Sequence, residues 1–376
     1  MPDRYDIAIV GAGPAGAMAA HACARRGAAV LLLDKARFPR AKVCGGCLGG
    51  EALDVLDRAG LAALPTQCHA RPLHTLRLAA SQRTADLPLA AGLALSRHTF
   101  DHALVRAAIT AGATFADATT ATLTTAVDAP QADHQLALRH DHAQRDVRAR
   151  VLLVADGIAG TCLADHPAFA WRIARRARVG FGTVVSTAMA DYAPGIIHMA
   201  VGPHGYLGVV RVEGDQLDIA GAVDASFVQA MQGPAGAAAQ LLADAGLPPI
   251  PDLPHAPWRG TPWLTRQRHR VAAPGLFVVG DAAGYVEPFT GEGLGWALHA
   301  AEAAAPLALD AVVNPTADTA RRWSRTHHRL FAARRRRCRL IAAALRRPAL
   351  VRVAMTLLDR RPSLARSITR RLAMGA

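Results

Sequence analysis

Three glycines near the start, Gly11, Gly13 and Gly16, are spaced so that a phosphate-bearing ligand can reach the backbone. Gly11 permits a tight turn. Gly13 has no Cβ, so a pyrophosphate can approach the main chain, and Gly16 lets the next helix lie close to the preceding strand. Ala15 belongs to the same turn. A helix starting here offers unpaired N–H groups and its positive dipole end to an anion. Asp34, closing the next apolar run, has the spacing of an acid that accepts hydrogen bonds from ribose hydroxyls. A carboxylate there disfavours a 2′-phosphate. This set implies a dinucleotide site, and by itself leaves open a nicotinamide or a flavin dinucleotide.

Two further blocks carry polar residues among glycines. Residues 34–50 hold Lys35, Arg40, Lys42, Cys44, Gly45, Gly46 and Cys47. Such a basic, glycine-dense loop suits close contact with a flat, phosphate-bearing cofactor. Cys44 and Cys47 form a C-x-x-C pair. As a redox dithiol it needs a depressed thiolate pKa, which Arg40 and Lys42 would supply. The plainer reading is two small side chains packed in a glycine loop. No second pair of ligands has matching spacing, so no metal is expected. The isolated His198, His204 and His269 read as structural. The other block runs from Gly280-Asp281 through Glu287, Pro288, Gly291 and Glu292 to Gly293.

These residues need elements to hold them. Residues 5–10 read as a buried strand, 17–26 as a helix ended by Gly27, and 29–33 as a second strand, a complete strand–helix–strand unit. A helix opens near Arg97 with Thr99 as its N-cap. Residues 147–156 read as a strand. Between 178 and 223, short apolar runs punctuated by glycine predict antiparallel sheet. Residues 248–262 read as a return connection. Residues 275–279 form a strand and 294–309 a helix. The fold class is α/β: a Rossmann-like dinucleotide-binding domain (1–70, 96–165, 266–312), interrupted by a mixed, largely antiparallel cap domain (71–95, 166–265), then basic helices (313–376).

The chain has 376 residues, 51% of them hydrophobic, and a mean hydropathy of +0.15. That is enough for a large core and excludes global disorder. No long uncharged apolar stretch predicts a spanning helix, and no apolar leader is evident, so a cytoplasmic protein with reduced thiols is expected. The net charge of +14 is uneven: residues 321–376 carry 17 arginines and one acid, Asp359. Pro348 should end or kink a helix there. Two readings of this tail stay open. It docks amphipathic helices on the body with a solvated arginine face, or it meets anionic lipid at the inner face of a membrane. Nucleic acid is not expected, because the run Arg334–Arg337 has no aromatic interleaving.

Together, the glycine loop, the F-P-R-x-K-x-C-G-G loop of Phe38–Gly46, Arg97 before a helix, and the G-D-A-A-G block of 280–293 resemble the geranylgeranyl reductase group of flavoproteins, within the aromatic hydroxylase (p-hydroxybenzoate hydroxylase-like) superfamily. The resemblance implies FAD. It implies that Gly11, Gly13, Ala15, Gly16, Asp34, Lys35, Lys42, Cys44, Gly45, Gly46, Arg97, Gly280, Asp281, Pro288, Gly291, Glu292 and Gly293 contact it, with Cys44 and Glu292 as catalytic candidates. Tyr206 is the substrate-facing candidate. The chain departs from that group where prenyl reductases carry Y-x-W-x-F-P: here 206–211 keep only the tyrosine. Neither the tryptophan-rich loop nor the lysine of flavin halogenases is present. The expected function is FAD-dependent oxidation–reduction of a lipophilic small molecule. NAD(P)H-driven hydroxylation of a phenolic or polyketide-like compound is set first, reduction of a carbon–carbon double bond in a prenyl or polyene lipid second, and a non-catalytic flavin or lipid carrier third. Phe181, Tyr192, Phe227, Trp258 and Trp263 are the other aromatic candidates for core or cavity.

Overall fold

In the computed structural model, residues 2–127, 133–186, 191–287, 289 and 291–360 are described. The apolar runs read from the sequence become the centre of one sheet. Its strands lie in the order Ala272–Ala273, Leu276–Val278, Ala143–Val154, Arg4–Val10, Val30–Leu33, Thr114–Ala116. The four central pairings are parallel, with Ile7 opposite both Val30 and Val151. Strands buried on both faces need continuous apolar sequence, and Val30–Leu33 is buried at every position. A meander of Thr119–Leu123 and His134–His140 extends from the long strand Ala143–Val154.

Helix α1 (Pro14–Ala24) starts with proline at its first turn and is almost wholly buried. Helices α2 (Gly50–Arg58), α3 (Arg97–Thr110), α4 (Pro234–Ala245), α5 (Gly293–Val313), α6 (Ala317–Leu345) and α7 (Pro348–Arg360) follow. Alanines let α1 pack tightly on α5 and α3. The expected Thr99 cap lies one turn earlier: Ser96 Oγ accepts from the Thr99 N–H, because a cap oxygen must precede the free N–H it satisfies.

A second sheet of seven strands stands over the first. Its order is Arg259–Trp263, Val179–Ser186, Gln216–Val223, Gly205–Arg211, Ile196–Gly202, Thr75–Ala80, Arg83–Pro88. All pairs are antiparallel except Ile196–Gly202 with Thr75–Ala80. The stretch read as a return connection thus contributes an edge strand, where prolines are tolerated because one side needs no ladder. Helix α4 covers one face of this sheet, over a cluster holding Phe181, Tyr192 and Phe227, with Trp258 packed against it. Trp263 is exposed. Among the described residues no helix is long and apolar enough to cross a membrane.

Candidate functional site

The strand Arg4–Val10 delivers the glycine turn to the start of α1. Gly11 has φ +102°, and a Cβ there would overlap the Ala155 carbonyl. A Cβ on Gly16 would overlap the Gly11 carbonyl oxygen, so strand and helix meet backbone to backbone. Gly13 is different. Its Cβ would have only two neighbours, the Nη2 atoms of Arg97 at 3.6 Å and Arg40 at 3.7 Å. Gly13 is the N-cap of α1, and no side chain caps that end. Unpaired N–H groups, a positive helix end and two guanidiniums therefore converge on one space.

Asp101 holds those guanidiniums. Arg97 donates to it through Nε and Nη2, both at 2.7 Å, and Arg40 Nη1 donates at 2.9 Å. Asp101 is fully buried. Asp101 fixes both guanidiniums in place, and Arg40 also reaches Asp34 at 3.5 Å, so the donors are pre-aimed at this space. The sequence reading missed this residue, although its i,i+4 spacing from Arg97 was visible; the Arg40 contact spans a separation that no local pattern shows.

Asp34 lies at the end of its strand, buried. Its Oδ2 accepts from Ala12 N at 2.8 Å and its Oδ1 from Ala36 N at 2.9 Å. It ties the glycine turn down; Oδ2 also accepts from Arg40 Nη2 at 3.5 Å, and Oδ1 retains a lone pair for a hydroxyl. Lys35 points elsewhere, donating to the Ala159 carbonyl at 3.3 Å.

From Gly13 a cavity of about 400 Å³ runs to the second sheet. Pro14, Ala15, Lys42, Cys44, Gly45, Cys47, Arg97 and Asp281 line its near end. Gly291, Gly293 and the first turns of α5 line its side. Gly11, Gly16, Gly46, Gly280, Asp34, Lys35 and Glu292 stand behind this lining. A Cβ on Gly280 would lie 2.8 Å from Ala15 Cβ, so this turn runs close to the start of α1, and Asp281 and Ala15 line the same cavity. Pro288 lies outside the described residues. The Glu292 carboxylate accepts from Arg337 Nη2 at 2.9 and 3.0 Å, so it turns towards α6 and neither caps α5 nor faces the cavity.

The surface Lys42 leaves exposed faces this walled-in cavity, and the enclosure, followed by Arg97 and Arg40, pushes its ammonium pKa down. Asp281 is pushed up by burial, against the pull of Lys42 and Arg97. The Cys44 and Cys47 thiols are pushed up by burial as well. Desolvation outweighs the nearby cations, so the depressed thiolate that a redox dithiol needs is not what this geometry gives. Cys47 Sγ donates to Gly45 O at 2.9 Å. The neighbouring buried Asp218 carboxyl is held well above the usual carboxylate range by burial and then by Glu213.

The far wall is the exposed face of the second sheet. Register places Met199, Gly208, Ala220 and Gly182 in one row, and Tyr206, Ala222 and Gly180 in the next. Between Met199 and Tyr206 the strip is low, because Gly180, Gly182, Gly208, Ala220 and Ala222 carry little or no side chain. A Cβ on Gly208 would lie 3.5 Å from Met199 Cε, an ordinary contact. Tyr206 is buried, edge-on to Phe289 with centroids 5.1 Å apart, and burial holds its hydroxyl well above the usual phenol value. Behind it, the fully buried Arg178 pairs with Glu287 at 3.3 Å, and Arg178 Nη2 and Glu287 Oε2 have no hydrogen-bond partner among the described residues.

FAD fits these residues. The Gly13 space, which an added Cβ would narrow, is edged by two arginines and a free helix end, the donor set a pyrophosphate needs. The cavity beyond has room for a flat ring beside a lipophilic molecule.

The FAD binding domain profile matches residues 4–209. A menaquinone reductase of Mycolicibacterium smegmatis is 40% identical over 89 residues, a match spanning 23% of this chain and only 21% of that protein. A digeranylgeranylglycerophospholipid reductase of Methanosarcina mazei is 28% identical over 328 residues, covering 83% of this chain and 77% of that one. Among solved structures, a geranylgeranyl bacteriochlorophyll reductase-like protein of Thermoplasma acidophilum superposes with a TM-score of 0.78 at 18% identity, covering 96% and 92% of the two chains. A myxobacterial chondrochloren halogenase superposes with a TM-score of 0.75 at 17% identity, covering 89% and 82%. One fold therefore serves both chemistries, and the fold does not choose between them.

Proposed function

Because the chain belongs to the FAD binding domain family and is an FAD-dependent oxidoreductase, we propose that it reduces a carbon–carbon double bond in a lipophilic, isoprenoid-like substrate. The observation that carries this reading is the Cys44 thiol, which keeps its proton in the wall of a largely apolar cavity. Bound FAD, once reduced, is the hydride source. Saturating the double bond also takes one proton on the other carbon, and the Cys44 S–H supplies it. The thiolate left behind faces Arg97, which favours it, and the neutral Asp218 carboxyl is the neighbouring group that returns the proton. Gly13, Arg40 and Arg97 hold the pyrophosphate, Asp34 the ribose, and Asp281, Gly291 and Gly293 the flavin end. Ile197, Met199, Val210, Leu264 and Phe289 exclude water from the substrate. The reductases among the relatives support this order, which reverses the one set by the sequence.

A second reading, hydroxylation of a phenolic or polyketide-like ring, is favoured by the flat strip of Gly208, Ala220 and Ala222, against which a planar ring can lie. One experiment separates the two. Holoprotein is mixed with NADH or NADPH under argon and flavin bleaching identifies the donor. An unsaturated prenyl lipid or a phenolic lipid is then added, with and without labelled oxygen. Anaerobic saturation of the prenyl lipid establishes the reductase. Label in the phenolic product, with no anaerobic turnover, sinks it.

A further inference from the structure

Helices α6 and α7 use their arginines in two ways. Those facing the body are spent on it: Arg334 pairs with Glu51, Arg337 with Glu292, and Arg346 with Asp224. Arg336, Arg347 and Arg352 are exposed and pair with no acid among the described residues. The apolar residues of α7 divide the same way. Met355 is buried, and Val351 and Leu358 pack with it on Leu76, Leu78 and Phe289. Leu350, Val353 and Leu357 are 46%, 56% and 48% exposed and, at i, i+3 and i+7, form one outward ridge. Leu340 of α6, one turn after Arg336, is 64% exposed. Half of the large apolar side chains left exposed in the described chain lie in this short stretch, and such a concentration marks a contact surface.

We propose that the outer face of α7, with Leu340 of α6, is a docking surface for an anionic lipid bilayer. Leu350, Val353 and Leu357 enter the acyl boundary while Arg336, Arg347 and Arg352 bind headgroup phosphates. Charge selects this occupant. A second copy would bring the same arginines together. The remaining tail, 361–376, carries four more arginines and no acid, so it repels the face too. An anionic partner is required, and the ridge requires one with an apolar interior. The inner face of α7 belongs to the cluster that includes Tyr206 and Phe289 of the cavity wall, so docking presents the cavity to the bilayer. This use rests on the lipophilic substrate proposed above; the docking itself is tested without any substrate.

Holoprotein is floated with vesicles of phosphatidylglycerol and phosphatidylcholine, or of phosphatidylcholine alone. Binding to the anionic vesicles only, weakened by salt, is expected. Val353→Asp with Leu357→Asp should lower partitioning at least about tenfold. Arg347→Ala and Arg352→Ala should each lower it about fivefold. The flavin spectrum and melting temperature report that the variants are folded. Three results overturn the proposal: no flotation of the wild type, flotation that the aspartates leave intact, or a dimer in sedimentation velocity that the aspartates dissociate.

Discussion

At the Gly13 end of the cavity, two arginines share one buried carboxylate and neither Gly11 nor Gly16 has room for a Cβ. At the Tyr206 end the wall is Met199, Gly208, Ala220 and Ala222, mostly small residues set side by side by strand register. The first end is made of backbone and charge, which tolerate no change of position. The second is made of side chains on strands, where size alone is set. An end that binds an invariant ligand can be built rigidly, whereas an end that meets a variable one is better built from replaceable parts.

The largest test of that contrast is Gly16→Ala. The added methyl overlaps the Gly11 carbonyl, so the variant should fail to yield folded holoprotein, read as loss of the flavin spectrum and of a cooperative melt. Next, Asp101→Asn leaves the buried Arg97 without its charge partner and Arg40 with Asp34 alone. It should cost about 3–5 kcal/mol of stability and weaken FAD binding, followed by flavin fluorescence on dilution. A loss of FAD affinity no greater than that of a surface variant would break the contrast. Third, Cys44→Ala should lower kcat about 100-fold while the FAD content stays unchanged.

A smaller effect separates the two ends by pH. His198, on the second sheet, is pushed down to about 4 by burial and then by Arg77, partly opposed by Asp86. Tyr192 is edge-on to its ring, and neither ring nitrogen has a partner. In the unfolded chain it protonates near the ordinary 6.5. The unfolded state therefore binds the extra proton below 6.5, and stability falls as pH drops from 6.5 towards 4, by about 3 kcal/mol at most. His198→Leu should flatten this part of a melting-temperature profile. An unchanged slope would place the acid sensitivity elsewhere.

What could be read without coordinates follows the same division. The glycine turn and Asp34 were legible because one contiguous strand–helix–strand unit carries them. Asp101 was not, since its second partner, Arg40, lies 61 residues away. Glu292 was named from the resemblance as a flavin contact and catalytic candidate, but its partner Arg337 is on a helix 45 residues later. For the thiols a redox reading stood beside the plainer one of packing, because neighbouring cations are visible in a sequence and enclosure is not. The edge strand Arg259–Trp263 was hidden by Pro262 and the proline-rich stretch before it. Tyr206 was named from a resemblance, while the flat row beside it exists only through strand register.

That row has a consequence for descent. A methyl at 208 would meet the flexible tip of Met199 and the Ala220 carbonyl oxygen, both at ordinary contact distance, so Gly208→Ala should move the melting temperature by no more than a surface change does while narrowing the pocket. Gly182, in the same row, would instead push a Cβ to 2.8 Å from the Ile219 carbonyl oxygen. Position 208 is therefore a site where lineages can reshape the pocket through neutral intermediates, and position 182 is where such drift stops.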